Sequence, residues 1–198
     1  MSYLKKAIRI TIVMTVICGL MYPLFITGIG KIIFPYQSSG SVIEVDGKGV
    51  GSELIGQIYN DEKYFSGRLS SAVNYNISED GKEMDASSGS QNLASTSDVL
   101  KERALADIEM FLAKNPEVSK EEISSELITQ SGSGLDPHIT PQGSKIQIPR
   151  VSKATGLSET ELSTMIEDNT EKKWLGLYGG ERVNVLKLNI AIDEKLAS

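Results

Sequence analysis

The chain has 198 residues, 40% of them apolar and 23% charged, which excludes both a disordered chain and a polytopic membrane protein. One cysteine and one histidine exclude a disulfide framework and any metal site built from several His or Cys ligands. The formal charge of −6 argues against nucleic acid as a partner, and it hides an asymmetry: residues 1–31 hold Lys5, Lys6, Arg9 and Lys31 and no acid, leaving 16 bases against 26 acids, or −10, in residues 32–198.

From Ile10 to Gly30 the chain carries no charge over 21 residues. As a helix this run would reach about 31 Å, close to the hydrocarbon thickness of a bilayer. A lone lipid-facing segment has to be helical, because hydrocarbon offers backbone groups no partner. Gly19, Pro23, Gly28 and Gly30 are compatible with a spanning helix, and Gly19 and Gly28 would let a neighbouring helix pack closely. The run is longer than the roughly 7–15 apolar residues of a signal peptide, and Phe25–Lys31 holds no Ala-x-Ala pattern, so an uncleaved anchor is expected. Three basic residues precede the span and only Lys31 directly follows it. The positive-inside rule then gives a cytoplasmic N-terminus over 1–9, a transmembrane helix over 10–31, a juxtamembrane linker over 32–40 and an extracytoplasmic domain over 41–198 of a cell-membrane protein. Cys18 falls inside the span, as packing.

Beyond the span, Phe34-Pro35-Tyr36 reads as an interfacial aromatic anchor and Gln37-Ser38-Ser39-Gly40 as a short flexible linker. Asp46-Gly47, set between Val42, Ile43, Val45 and Val50, Leu54, Ile55, Ile58, predicts a hairpin over 41–59. Gly49, Gly51 and Gly56 mark a bulge or a close backbone approach there. Ser71–Ser97 is a long polar loop of a kind that is functional or mobile. Val99, Leu100, Leu105, Ile108, Phe111 and Leu112 predict a helix over Asp98–Lys114, capped by Ser97 and ended before Pro116. Ser119 and Glu122 form a capping box for a second helix over Lys120–Leu127. A loop over Ser131–Pro141, a short extended piece over Lys145–Pro149 and a helical turn from Pro149 to Thr155, stopped by Gly156, follow. Ser158 and Glu161 open another helix with Leu162, Met165 and Ile166 inward. Gly176, Gly179 and Gly180 break the chain, and the alternation of Leu186, Leu188, Ile190 and Ile192 predicts a strand over Val183–Ile192. The expected fold class is α/β, of the α+β type: one N-terminal transmembrane helix, then a single mixed domain with a small sheet and about three helices.

Three groups of residues could carry chemistry. The densest is Ser131-Gly132-Ser133-Gly134-Leu135-Asp136-Pro137-His138. A hydrolase would use Ser133 as nucleophile, His138 as base and Asp136 as orienter. Pro137 restricts the backbone between acid and imidazole, and no nucleophile elbow surrounds Ser133, so the favoured reading is a rigid turn in which Asp136 and Ser133 bond neighbouring backbone. Ser87-Ser88-Gly89-Ser90-Gln91 loosely echoes the signature loop of ABC transporters, but no Walker A pattern accompanies it. Arg68, Arg150 and Arg182 each stand beside turn or Pro/Gly signals and could reach a partner's carboxylate or pair internally.

In combination and order, several strings are highly specific. They are Gly51-Ser52-Glu53-Leu54-Ile55-Gly56-Gln57, Tyr64-Phe65-Ser66-Gly67-Arg68, the Ser131–Ile139 segment, Ile148-Pro149-Arg150-Val151, and Arg182-Val183-Asn184-Val185-Leu186 with Leu188-Asn189. Together with the N-terminal span, the chain resembles the family of C subunits of Kdp-type potassium-transporting ATPases over nearly its whole length. It departs from that family at Leu69, where a proline is usual, and at Ser88–Leu93, where the family has Ser-Gly-Gly-Ser-Asn-Leu. The resemblance implies a non-catalytic accessory subunit of an ATP-driven potassium-uptake pump, needed for assembly. The implied partners are a channel-like potassium-binding subunit, a P-type ATPase subunit and a small one-helix subunit. It also implies a chaperone role that raises ATP affinity in the ATPase subunit, with ATP and K+ handled by the complex and no cofactor held by the chain itself. Arg68, Gly132, Ser133, Gly134, Asp136, Pro137, His138, Pro149, Arg150, Arg182 and Asn184 become structural or partner-contact residues. An extracytoplasmic body conflicts with direct ATP contact. It favours instead a cap over the external entrance of the channel-like subunit, where an acidic surface would concentrate cations. The rival is a membrane-tethered binding or sensor module that uses the Ser71–Ser97 loop.

Overall fold

The uncharged run is helical. Helix α1 (Ser2–Val16), a π-helical turn (Ile17–Met21) and α2 (Tyr22–Ile33) follow one another without a break. The 32 residues are long and apolar enough to cross a membrane. The helix starts well before residue 10, since Leu4, Lys5, Lys6 and Arg9 are all good helix formers. The π turn lies just ahead of Pro23. A proline lacks the N–H its turn needs, and its ring crowds the carbonyl four residues back, here that of Gly19. In the wider turn the Tyr22 N–H reaches back five residues to the Ile17 carbonyl, which loosens the ladder where the ring must fit.

The computed structural model describes residues 2–68, 88–89 and 91–197. They divide into two units, Met1–Ser52 and Glu53–Ser198. In the first, Pro35–Ser38 forms a helical turn, α3, where the sequence suggested a flexible linker. The Tyr36 hydroxyl donates to the Ser41 carbonyl at 3.1 Å and holds it. The hairpin pairs β1 (Val42–Val45) with β2 (Lys48–Ser52). Asp46 and Gly47 both take positive φ, 52° and 73°, the two-residue turn whose twist matches the strands. The register jumps between Ile43↔Gly51 and Glu44↔Gly49, so Val50 is the extra residue of a bulge. Pairing ends at Ser52. Leu54, Ile55 and Ile58 do not continue the strand.

In the second unit, α4 (Asp98–Lys114) has the bounds its periodicity predicts. Ser97 occupies the cap position without a side-chain cap bond, and Val99 and Leu105 face outward. The capping box at Ser119 and Glu122 is present, but it opens two separate 3₁₀ turns, Lys120–Glu122 and Ser125–Leu127, instead of one helix. His138–Ile139 is strand β3 inside the expected loop. The expected extended piece at 145–149 is helical: α5 (Pro141–Lys145) and α6 (Ile148–Thr155) both begin with a proline in their first turn, where its missing N–H costs nothing. Gly156 ends α6 at φ 76°. Then come α7 (Glu159–Asp168), β4 (Thr170–Glu171), β5 (Arg182–Asn184) and α8 (Val185–Ala197).

The predicted strand over Val183–Ile192 is therefore mostly α8. Its buried residues Val185, Leu188, Asn189 and Ile192 recur at helical spacing. The sheet is antiparallel in the order β3-β5-β4, with β5 central. Val183 pairs with both Ile139 and Thr170, and the core gathers Ile139, Val151, Leu162, Ile166, Leu188 and Ile192 around it. The architecture is mixed helix with small sheets, containing more helices than the three expected. The Ser71–Ser97 loop and Leu69 lie wholly or largely outside the described residues.

Candidate functional site

The string Tyr64–Arg68 runs as a strap with no strand among the described residues beside it, so its buried backbone groups need other partners. Phe65 is fully buried in the core. Its N–H donates to Asn189 Oδ1 at 2.8 Å, and its carbonyl accepts from Asn189 Nδ2 at 3.0 Å. The next residue repeats the arrangement with Gln147: the Ser66 N–H donates to Oε1 at 2.8 Å, and Nε2 donates to the Ser66 carbonyl at 3.1 Å. Two side-chain amides thus stand in for a neighbouring strand.

Arg150 fixes the strap's start. Its Nη1 donates to the Glu62 and Tyr64 carbonyls, Nε to Asn115 Oδ1 at 2.9 Å and Nη2 to Gln147 Oε1 at 2.9 Å. Among the described residues no carboxylate lies within 4 Å of this guanidinium, which is only 8% exposed. Burial lowers its pKa from the ordinary value, the Glu62 charge opposes that shift, and its hydrogen bonds go to neutral acceptors. Pro149 opens the helix that carries it. A cleft of about 320 Å³ adjoins Arg150, with Lys114 and Lys153 set against Glu62 and Glu117, so its lining favours neither sign of ligand.

Arg68 closes the strap onto the Ser131–His138 loop, with Nη1 2.9 Å from Asp136 Oδ2. The other Asp136 oxygen accepts the His138 N–H at 3.0 Å and lies 3.4 Å from His138 Nδ1. Ser131 Oγ accepts from the Gly134 N–H at 2.8 Å, and Ser133 Oγ accepts from the Leu135 N–H at 3.2 Å. Gly134 is left-handed, at φ 72°. A Cβ on Gly132 would meet nothing within 4 Å, whereas one on Gly56 would come within 2.7 Å of the Asp136 carbonyl oxygen. The close approach the sequence placed at Gly56 is there, sealed by its N–H donating to the Leu135 carbonyl at 2.8 Å. The loop's far side meets α8, where the Val185 N–H donates to the Pro137 carbonyl at 3.0 Å. Asn184 caps α8 through the Lys187 N–H and donates to the Glu53 carbonyl at 2.8 Å.

The loop geometry is that of a braced turn. Ser133 Oγ bonds Ser131 and Leu135, and among the described residues it makes no bond to His138. The nucleophile–base contact that a hydrolase needs is not formed. Arg182 stands apart, paired with Glu171 at 2.7 Å at the sheet edge. Gly19, Pro23 and Gly28 lie on the N-terminal apolar helix, with Gly28 open on its surface. The structure thus joins Arg68, Asp136, Pro137, His138 and Asn184 around one loop and puts Arg150 in a separate hub. Sequence reading missed Gln147, Asn189 and Asn115. The legible signal was Asn189, a lone amide inside an apolar run.

A family model described as "KdpC: K+-transporting ATPase, c chain" matches residues 4–194. The chain is similar to the potassium-transporting ATPase KdpC subunit of Clostridioides difficile strain 630, at 48% identity over 99% of each chain. The proteins of the same description from Clostridium kluyveri and Caldanaerobacter subterraneus subsp. tengcongensis are each 46% identical. They cover 98% of this chain and 94% and 95% of their own lengths.

Proposed function

This chain belongs to the KdpC family of K+-transporting ATPase c chains, and from that premise we propose that it is a single-pass accessory subunit held on the outer face of a potassium-uptake pump. One observation carries the reading: similarity to proteins of that description runs through the spanning helix and the body alike, from residue 4 to 194. The basic residues Lys5, Lys6 and Arg9 hold the N-terminus in the cytoplasm. The span packs against helices of the pump's membrane subunits, with Gly19 and Gly28 allowing close approach. The acidic body, −10 over residues 32–198, caps the external entrance of the channel-like subunit and raises cation concentration there by field focusing. Any effect on ATP affinity in the P-type ATPase subunit is then transmitted through the span. Arg68, Asp136, Arg150 and Asn184 act by bracing the strap and loop.

The test is a tagged pull-down from detergent-solubilised membranes of cells grown at limiting potassium. A P-type ATPase subunit and a channel-like subunit should arrive in equal amounts with the full chain, and deletion of residues 32–198 should abolish assembly or uptake. Normal uptake by the truncated chain would defeat the reading.

A further inference from the structure

Strands β4 and β5 are joined by Lys172–Glu181, which extends past the sheet as a hairpin tip. Its base is clamped by the Glu171–Arg182 pair and its end is closed by mutual backbone bonds between Trp174 and Tyr178 at 2.8 and 3.0 Å. Trp174, Leu175, Leu177 and Tyr178 are 69%, 71%, 77% and 64% exposed. Nowhere else among the described residues from 53 to 197 do four large apolar side chains stand exposed within five positions. Single exposed apolar residues need no explanation, but a contiguous group does.

The tip is also held in shape. Leu175 sits at φ 52°, a left-handed conformation disfavoured for a bulky L side chain, between tight bonds from the Gly176 N–H to Lys173 and from the Leu177 N–H to Trp174. The Trp174 and Tyr178 rings lie 5.9 Å apart. Lys172 and Lys173 lead into the tip, and among the described residues neither ammonium has a carboxylate within 4 Å.

We propose that the Trp174–Tyr178 tip is an insertion anchor that seats in an apolar, acid-rimmed pocket on another subunit of the membrane complex. The inference rests on the accessory-subunit reading above. Aromatic anchors on a rigid support are what interface centres use, because little rotamer entropy is lost on seating them. A lipid surface is the weaker fit, because a fluid bilayer gives no return for a fixed, strained shape. The free lysine pair supplies charge complementarity to a carboxylate rim instead.

The experiment uses the full chain in native membranes. Trp174→Ser with Leu177→Ser should lower recovery of the other subunits by about 30-fold, the effect of losing an interface anchor. Val99→Ser with Leu105→Ser, also exposed but on α4, should leave recovery unchanged. A photo-crosslinking residue at Leu175 should form its adduct with a different polypeptide. Full recovery of partners by the Trp174/Leu177 variant overturns the proposal, as does an adduct on lipid, on a second copy of this chain, or on nothing. If the unaltered chain recovers no other subunit, the accessory reading itself falls and this inference falls with it.

Discussion

Asn189 shows how much one side chain can decide. It is buried in the middle of α8, and its amide satisfies both backbone groups of Phe65. Replacing it by leucine keeps the branching of the side chain and raises helix propensity, but leaves an N–H and a carbonyl buried without partners, at about 1–3 kcal/mol each. Asn189→Leu is expected to destabilise the second unit by about 2–4 kcal/mol, since the added apolar burial offsets part of the loss. In a urea melt of the full chain in detergent, the midpoint should fall without a change of slope. An unchanged midpoint would show that the amide bonds do not hold the strap. Gln147 and Arg150 act by the same logic on Ser66 and Tyr64, which explains why the short string Tyr64–Arg68 requires particular residues on α8, on α6 and just ahead of α6. That dependence was invisible in the sequence. A Tyr-Phe-Ser-Gly-Arg string looks like a loop, and nothing local tells which amide, 81 or 124 residues away, will pair with it. The Asp136 and Ser133 turn was legible, because Asx-type bonds are made within two residues.

At the scale of elements, local end signals were the most readable part of the chain. Ser158 and Glu161 form a reciprocal capping box at the start of α7, and hydrogen bonds from Ser158 hold the Glu161 carboxyl below its ordinary range. A carboxyl lowered on folding contributes stability that is fully present above its unfolded pKa, near 4.5, and is lost as pH falls through the lowered folded value. Glu161→Gln keeps an acceptor for the cap but removes the titration. Its stability curve is therefore expected to run flatter than the parent's from about pH 4.5 downward. Parallel curves in acid melts followed by helical circular dichroism would contradict this. The strand–helix error at Val183–Ile192 has an equally physical origin. Leu186, Leu188 and Ile192 satisfy a period of two, while Val185, Leu188 and Ile192 satisfy the helical one, so the apolar run alone cannot decide. Asn184 decides it: β5 needs only three residues to complete the sheet, and the Asn184 side chain then caps a helix. Strands of two residues, such as His138–Ile139 and Thr170–Glu171, are too short to show any period.

For the whole molecule, the open question of function is which side of the membrane the body occupies, and here the chain supplies its own tool. Cys18 is the only cysteine and lies inside the spanning helix. Cys18→Ser therefore gives a background in which a single new thiol reports its own location. Tyr3 and Thr160 are both exposed positions, one before the span and one in α7. Three basic residues ahead of the span against one just behind it require Thr160→Cys to react with a membrane-impermeant maleimide in intact cells. Tyr3→Cys should react only after the cells are opened. This pattern would leave the body out of reach of cytoplasmic ATP, so that any influence on nucleotide affinity must pass along α1 and α2. The acidic surface would then face the side from which potassium is taken up. The opposite pattern would remove the cap from consideration, because a cytoplasmic body cannot cover an external entrance.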